Sequence, residues 1–287
     1  MVVDAVAAVL VLLAALPASA QPRAYPWMGA RAPARTVESA IPPPAGFHRA
    51  PAPPGSFADW LRGLPLKPQG TPVHLYDGRL KADQGVHHAV ADLDVGSRDL
   101  QQCADAVIRL RAEYLWSRGR AGAIAFNFTD GFRAGWQHWA DGWRPRVGRP
   151  TAWVKAGAPD ASRTSFKRYL DEVMNYAGTL SLSRELVPRA VARIRAGDVL
   201  VQGGSPGHAV LVVDTAEDAA GNRVLIIGQS YMPAQEFHVL KNTGEPAISP
   251  WYRADRLAGP GLVTAEWPYA FRAGDLRGFD TDEGDTR

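Results

Sequence analysis

Cysteine is the residue that this chain lacks most, since Cys103 is the only one among 287 residues. A single cysteine excludes an intramolecular disulfide framework and a cysteine-rich zinc site. A strong charge of one sign is also missing, because 32 Lys and Arg stand against 29 Asp and Glu. No basic block is present either, so we expect no nucleic-acid partner. The 46% hydrophobic and 21% charged residues that are present are typical of a globular protein.

Only one long apolar run occurs, at residues 5–16, and it is too short to span a bilayer. It lacks the usual Lys or Arg before it, but it ends in the small-residue pattern Pro17-Ala18-Ser19-Ala20. Such a pattern is typical of a signal-peptide cleavage site. We therefore predict that residues 1–20 are a signal peptide and that the mature chain is exported, periplasmic or secreted, without a stable membrane span. The alternative is a short buried helix.

The remaining chain divides by composition into three parts. Residues 21–55 are rich in Pro and Ala and are predicted to form a linker or an arm over the surface. Residues 56–277 are predicted to form a single domain, and residues 278–287 an acidic flexible tail. Within the domain, hydrophobic periodicity predicts three helices and then a run of strands, which indicates an α+β fold. The predicted helices cover 97–116, 165–177 and 187–194, and the strands 73–76, 86–95, 198–202, 209–214 and 224–228.

The chemistry is concentrated in a cysteine on a helix and a histidine on a strand. His208 opens an apolar strand after a glycine-rich turn, and Gln229 closes the next strand, so the two side chains can lie side by side. A thiol nucleophile needs an imidazole to take its proton and a polar group to orient that imidazole. Cys103, His208 and Gln229 supply these three roles without a cofactor.

Several assignments at this site stay open. Gln101 or Gln102 can donate to an oxyanion, and Asp214 or His238 can replace Gln229 as the orienting group. Cys103 also lies on the apolar stripe of its helix, so a buried core thiol is the competing interpretation. The acidic residues around the helix start are explained by the helix dipole, and no metal site is expected. These residues are Asp92, Asp94, Asp99 and Asp105.

A cysteine on a helix followed by Gly-His at the head of a strand resembles the papain-like superfamily, in its NlpC-type and CHAP branches. The resemblance covers about residues 100–231 and implies a papain-like arrangement, in which a helical half packs on an antiparallel sheet. It also implies hydrolysis of amide bonds in peptidoglycan peptides. In that superfamily the nucleophile begins its helix, whereas a helix capped by Ser97 places Cys103 more than one turn inside. A helix start nearer Leu100 removes this difference.

A second resemblance, over about residues 47–271, is to the bacterial family catalogued as domain of unknown function 4846. It implies no activity, because none is established for that family. The matching segments are 64–68 (LPLKP), 94–106 (DVGSRDLQQCADA), 176–179 (YAGT), 203–213 (GGSPGHAVLVV) and 229–235 (QSYMPAQ).

Residues 132–153 are dense in tryptophan and arginine, which suggests a different function. Indole rings such as Trp139 and Trp143 can stack on sugars, and the arginines suit an anionic polymer. The leading prediction is an exported cysteine hydrolase that cleaves an amide bond, with peptidoglycan or another envelope polymer as its partner. The alternatives are an acyl transferase with the same nucleophile and an inactive envelope-binding module that uses this segment. The competing explanation for the segment is indoles packed on the core.

Overall fold

The computed structural model describes residues 23–280. The predicted signal peptide and the end of the predicted acidic tail lie outside these residues. Within them, the α-helices are α1 (Val37–Ala40), α2 (Phe57–Arg62), α3 (Cys103–Ser117), α4 (Trp136–Ala140), α5 (Arg163–Tyr176) and α6 (Thr179–Glu185). The strands are β1 (His48–Arg49), β2 (His87–Val90), β3 (Ala125–Asn127), β4 (Arg133–Gly135), β5 (Trp143–Arg146), β6 (Ala152–Lys155), β7 (Val187–Pro188), β8 (Val199–Gln202), β9 (His208–Glu217), β10 (Arg223–Gln229), β11 (His238–Leu240), β12 (Trp251–Arg253) and β13 (Leu276–Gly278).

Nine of these strands form one antiparallel sheet. Its order is β2-β11-β10-β9-β8-β13-β7, with β1 paired to β9 and β12 paired to β10. Two separate hairpins, β3–β4 and β5–β6, lie outside it. The α+β class predicted from the order of elements is confirmed: a helical first half precedes the main strands of the sheet.

The central strand β9 is buried along nearly its whole length. Ala209, Leu211 and Val213 pack in the core that also contains α3 and α5. Val210 and Val212 alternate with them and face a second core, which contains Trp267 and Phe271. Because both faces of β9 are covered, its sequence is continuously apolar rather than alternating between apolar and polar residues.

Helix α3 begins at Cys103, later than the predicted start at Ser97. The preceding segment turns too tightly for a helix, since the N–H of Leu100 donates to the Arg98 carbonyl and Gln102, the N-cap, is extended. The backbone N–H of Gln102 donates to Asp105 Oδ2 over 3.1 Å, which fixes this start. Cys103 is therefore the first residue of its helix, and the difference from papain-like proteins noted in the sequence is absent.

The strands predicted at 198–202, 209–214 and 224–228 are confirmed as β8, β9 and β10, whereas the strand predicted at 86–95 ends already at Val90, as β2. The helix predicted at 187–194 is wrong, because that stretch contains β7 and a short 3-10 turn, and the helix precedes it as α6. The backbone is already extended at Leu186, and Pro188 has no N–H to continue a helix. The segment 73–76 makes only isolated strand bridges, to Leu80 and Gln235.

The packed structure extends beyond 56–277 at both ends. In the segment predicted as a linker or arm, Val37 and Ile41 are fully buried, and the Tyr25 hydroxyl donates to the Trp60 carbonyl. This part of the chain is an arm that completes the core, since its buried apolar residues belong to the main hydrophobic cluster. At the other end, Gly278 is paired in β13 and Phe279 is buried. No helix between residues 23 and 280 combines the length and the apolar character needed to cross a bilayer.

Candidate functional site

Cys103 lies at the amino end of α3, in a groove of about 300 Å³. The walls are the start of α3, the small-residue turn 204–207, the junction of α5 and α6 around Gly178, and Met232. The thiol side chain is 8% exposed, so it lies just beneath the floor of the groove. This position places the sulfur at the positive end of a fifteen-residue helix, where a developing negative charge is stabilised.

The strand that carries His208 touches this cysteine through its backbone. The N–H of Ala209, the residue after His208, donates towards the Cys103 thiol and lowers its pKa. Burial is the largest influence and raises that pKa, and the nearby carboxyl of Asp105 raises it further. The net effect is a thiol that keeps its proton at neutral pH.

His208 and Gln229 lie together, as the strand pattern predicted. His208 Nε2 is 2.8 Å from Gln229 Oε1, and both side chains are 1% exposed. This bond leaves Nδ1 as the nitrogen that can receive a proton from a thiol. Within residues 23–280 no hydrogen bond joins Cys103 directly to His208, and His208 does not line the Cys103 groove, since its ring packs against Trp267 and Phe271 of the second core. Catalytic bonds of this kind often form only when substrate binds.

Aromatic rings enclose the imidazole of His208. Tyr231 and Trp267 have ring centroids 5.1 Å from it, and Phe271 lies at 6.2 Å. Burial lowers the pKa of His208 to about 4, although Gln229 and Glu266 act in the opposite direction. The resting site therefore contains a neutral thiol and a neutral imidazole rather than a thiolate–imidazolium pair.

The two candidate oxyanion donors are consecutive in the chain but line different cavities. Gln101 is buried on the far side, where its Oε1 accepts from Arg109 Nη1 over 3.1 Å, and it lines a different cavity. Of the two alternatives, Gln101 is thus not placed to donate into the groove. Gln102 does line the groove, together with the Cys103 backbone at the first turn of α3. First-turn N–H groups have no partner inside the helix and can donate to an oxyanion.

The two alternatives to Gln229 have other roles. Asp214 is buried between two arginines, Arg62 and Arg49, far along β9 from His208. His238 lies on β11 with its Nδ1 2.9 Å from the Glu236 carbonyl oxygen. Neither side chain contacts His208, so Gln229 is its orienting partner among the described residues.

The tryptophan segment is divided between core and surface. Trp139 is 6% exposed, donates from its indole N–H to Ser165 Oγ over 3.2 Å and is covered by the Arg144 guanidinium. Trp143, at 37% exposure, lies on β5 near Lys155. Neither residue lines the Cys103 groove. Trp139 is a core residue, because its indole is already occupied by contacts within the protein.

These positions lead to a prediction about stability. Trp139→Ala is expected to reduce the free energy of unfolding by about 3–5 kcal/mol, because it removes a large buried side chain. Trp143→Ala, its exposed neighbour, is expected to stay within about 0.5 kcal/mol of the unaltered protein. Urea unfolding followed by circular dichroism measures both. A cost for Trp139→Ala below about 1 kcal/mol would show that its ring is not part of the core.

Two acidic residues at the site went unrecognised in the sequence as functional candidates. Asp105 lines the groove near Cys103, and burial raises the pKa of its carboxyl to about 7. Glu266 lies in the loop before β13 and accepts from Gln229 Nε2 over 2.8 Å. The helix dipole explains why an acidic residue such as Asp105 lies in the first turn of α3. Asp105 also accepts a hydrogen bond from the backbone N–H of Gln102, the N-cap. For Glu266 the sequence offers no signal, because its partner lies 37 residues away on another element.

A family model described as a domain of unknown function (4846) matches residues 37–277, so the chain belongs to this family. The match begins at α1 and ends within β13, which agrees with the packed ends of the domain. No curated protein and no solved structure matches the chain. Residues 23–280 contain no group of three or more His, Cys, Asp or Glu side chains placed to hold a metal ion.

Proposed function

We propose that this member of the domain of unknown function 4846 family is a cysteine hydrolase that cleaves an amide bond, with cell-wall peptide as substrate. One observation carries the proposal. The Nε2 atom of His208 is bound by Gln229, while Cys103, at the first position of α3, lies against the backbone of the residue that follows His208. Three separate elements, α3, β9 and β10, thus carry the proposed nucleophile, base and orienting group, and the backbone of β9 contacts the nucleophile.

The reaction follows from the neutral resting pair. As Cys103 Sγ attacks the substrate carbonyl carbon, His208 Nδ1 takes the thiol proton, and the carbonyl oxygen becomes an oxyanion facing the first-turn N–H groups of α3. The C–N bond then breaks, and His208 returns the proton to the departing amine. Water hydrolyses the remaining thioester with His208 again as the base, which releases a carboxylic acid and restores the thiol.

The groove suits a peptide with small or polar groups at the reacting bond. One wall is the turn 204–207, whose two glycines have no side chain to project into the groove. The facing wall includes Gly178 and Thr179. The resemblance to NlpC-type and CHAP proteins and the predicted export of the chain both favour a substrate in the cell envelope. We therefore infer the substrate class from the resemblance and the predicted export, and the cleavage of an amide bond from the position of Cys103.

The test uses purified peptidoglycan and its soluble muropeptides. The mature protein is expected to release new amino groups at neutral pH, and Cys103→Ala is expected to release none, because it has no nucleophile. His48→Ala, a change on an exposed strand away from the groove, is the matched control and should retain full release. Equal release by Cys103→Ala would overturn the cysteine mechanism. Binding to peptidoglycan without release, unchanged by Cys103→Ala, would favour the envelope-binding alternative.

A further inference from the structure

The amide of Gln229 can face His208 in two ways, and they have opposite chemical consequences. With its oxygen towards the ring, the amide accepts a hydrogen bond, so His208 Nε2 must carry a proton. With its nitrogen towards the ring, the amide donates, so Nε2 must be unprotonated and the proton moves to Nδ1. Only the first arrangement leaves Nδ1 able to take a proton from a thiol.

Glu266 removes this ambiguity. Its Oε2 is 2.8 Å from Gln229 Nε2, and an ionised carboxylate can accept hydrogen bonds but cannot donate them. The nitrogen of the amide must therefore face Glu266, and the oxygen must face His208. The polarity of the bond to His208 follows from a group that does not touch the imidazole.

The surroundings keep Glu266 ionised. Lys81 Nζ lies 2.7 Å from Glu266 Oε1, and the Lys81 side chain is only 5% exposed. His238 Nε2 lies 3.6 Å from Oε2 on the other side. Burial raises the pKa of Glu266, but its interactions with His238 and Lys81 outweigh this and bring the pKa below the ordinary value.

We propose that Glu266 is a positioning residue that holds His208 in the Nε2–H tautomer through the amide of Gln229. The neutral amide between them has a second effect, because it keeps the carboxylate charge one residue away from the imidazole. A carboxylate bound directly to the ring would stabilise the imidazolium. The relay through Gln229 orients the ring and still leaves it neutral at rest. The effect of Glu266 on catalysis rests on the proposed function, whereas its effect on the His208 tautomer does not.

The first experiment needs no substrate. Long-range nitrogen–proton correlation spectra of the protein with isotope-labelled histidine report which ring nitrogen carries the proton, and His208→Ala identifies the signal. We expect the Nε2–H form in the unaltered protein and a mixture of tautomers in Glu266→Gln, whose amide can donate as well as accept. An Nδ1–H form in the unaltered protein, or an undisturbed Nε2–H form in Glu266→Gln, would overturn the proposal.

A double variant provides the rescue. In Gln229→Glu with Glu266→Gln, the acceptor-only carboxylate faces His208 and the new amide donates to it, so the Nε2–H tautomer should return in spectra recorded at a pH where the ring is neutral. A merely structural role for Glu266 predicts no such recovery. Failure of the double variant to restore the tautomer, in a protein that melts as a single cooperative unit, would contradict the relay.

Turnover separates this inference from the proposed function. On muropeptides, Glu266→Gln is expected to lower kcat by about 10- to 100-fold with little change in KM, less than the loss of about 10⁴-fold caused by a fixed wrong tautomer in a serine protease. A change confined to KM would overturn the positioning role. If the unaltered protein cleaves no muropeptide but the tautomer responds as expected, the proposed function fails and the positioning inference stands.

Discussion

His208→Ala is expected to slow muropeptide hydrolysis by about 10²- to 10⁴-fold, the usual contribution of a general base. The burial of the thiol makes this loss large. Because the Cys103 thiol keeps its proton at neutral pH, attack on a carbonyl requires a base at that moment. We propose His208 as this base, because the residue that follows it contacts Cys103 through its backbone N–H. His48→Ala, an exposed histidine on β1, is the matched control and should leave the rate unchanged. A loss of less than tenfold for His208→Ala would exclude it as the base.

The pH profile tests the same residue in the unaltered protein. The base must be unprotonated to act, so kcat/KM should rise with pH through the pKa of His208, which burial lowers to about 4. At pH 5 about nine-tenths of His208 is then neutral, whereas a histidine of ordinary pKa would be neutral in only ~3% of molecules. We expect activity to persist at pH 5, and an acid limb centred near pH 6.5 would contradict this.

Alkylation provides a companion measurement without substrate. The rate of Cys103 modification by iodoacetamide should rise with a midpoint above about 8.5, the value of a free thiol, because burial disfavours the thiolate. A midpoint well below that value, shifted by His208→Ala, would instead demonstrate a thiolate–imidazolium pair at rest. The resting pair would then be charged rather than neutral, although the same two residues would form it.

Asp214→Ala is expected to reduce the free energy of unfolding by about 3–5 kcal/mol, the largest stability effect we predict outside the apolar core. Asp214 is completely buried on β9 and accepts from Arg62 at 3.0 and 2.9 Å, while its other oxygen pairs with Arg49. Removing the carboxylate leaves two largely buried guanidinium groups without it. Arg49 belongs to the arm, so the same change should also loosen residues 23–55.

Glu245→Ala is the control for this ion pair. Glu245 also binds two arginines, Arg253 and Arg256, but these are nearly half exposed. Its loss should cost no more than about 1 kcal/mol, because water screens exposed pairs. Chemical denaturation of both variants compares the two sites, and protease digestion reports release of the arm. Equal costs for Asp214→Ala and Glu245→Ala would show that burial of the first pair contributes nothing.

The sequence by itself determined the α+β class, the main strands and the pairing of His208 with Gln229. These features depend on local pattern: two consecutive apolar strands joined by a turn must pair, and the residues at their ends then lie side by side. The family was likewise evident from short motifs. The helix start at Cys103 was less accessible, because Ser97 is a plausible cap and only the tight turn between Ser97 and Gln102 excludes it.

Tertiary structure alone decided the rest. Glu266 reaches Gln229 from a distant loop, and Trp267 and Phe271 in the same loop bury His208, which lowers its pKa and makes the resting pair neutral. Gln101 and Gln102 are neighbours in the chain but face different cavities. Local pattern identifies which residues can react and which strands pair, but the charge state of a reactive group depends on what surrounds it. Those surroundings come from segments far apart in the chain, and only the folded structure brings them together.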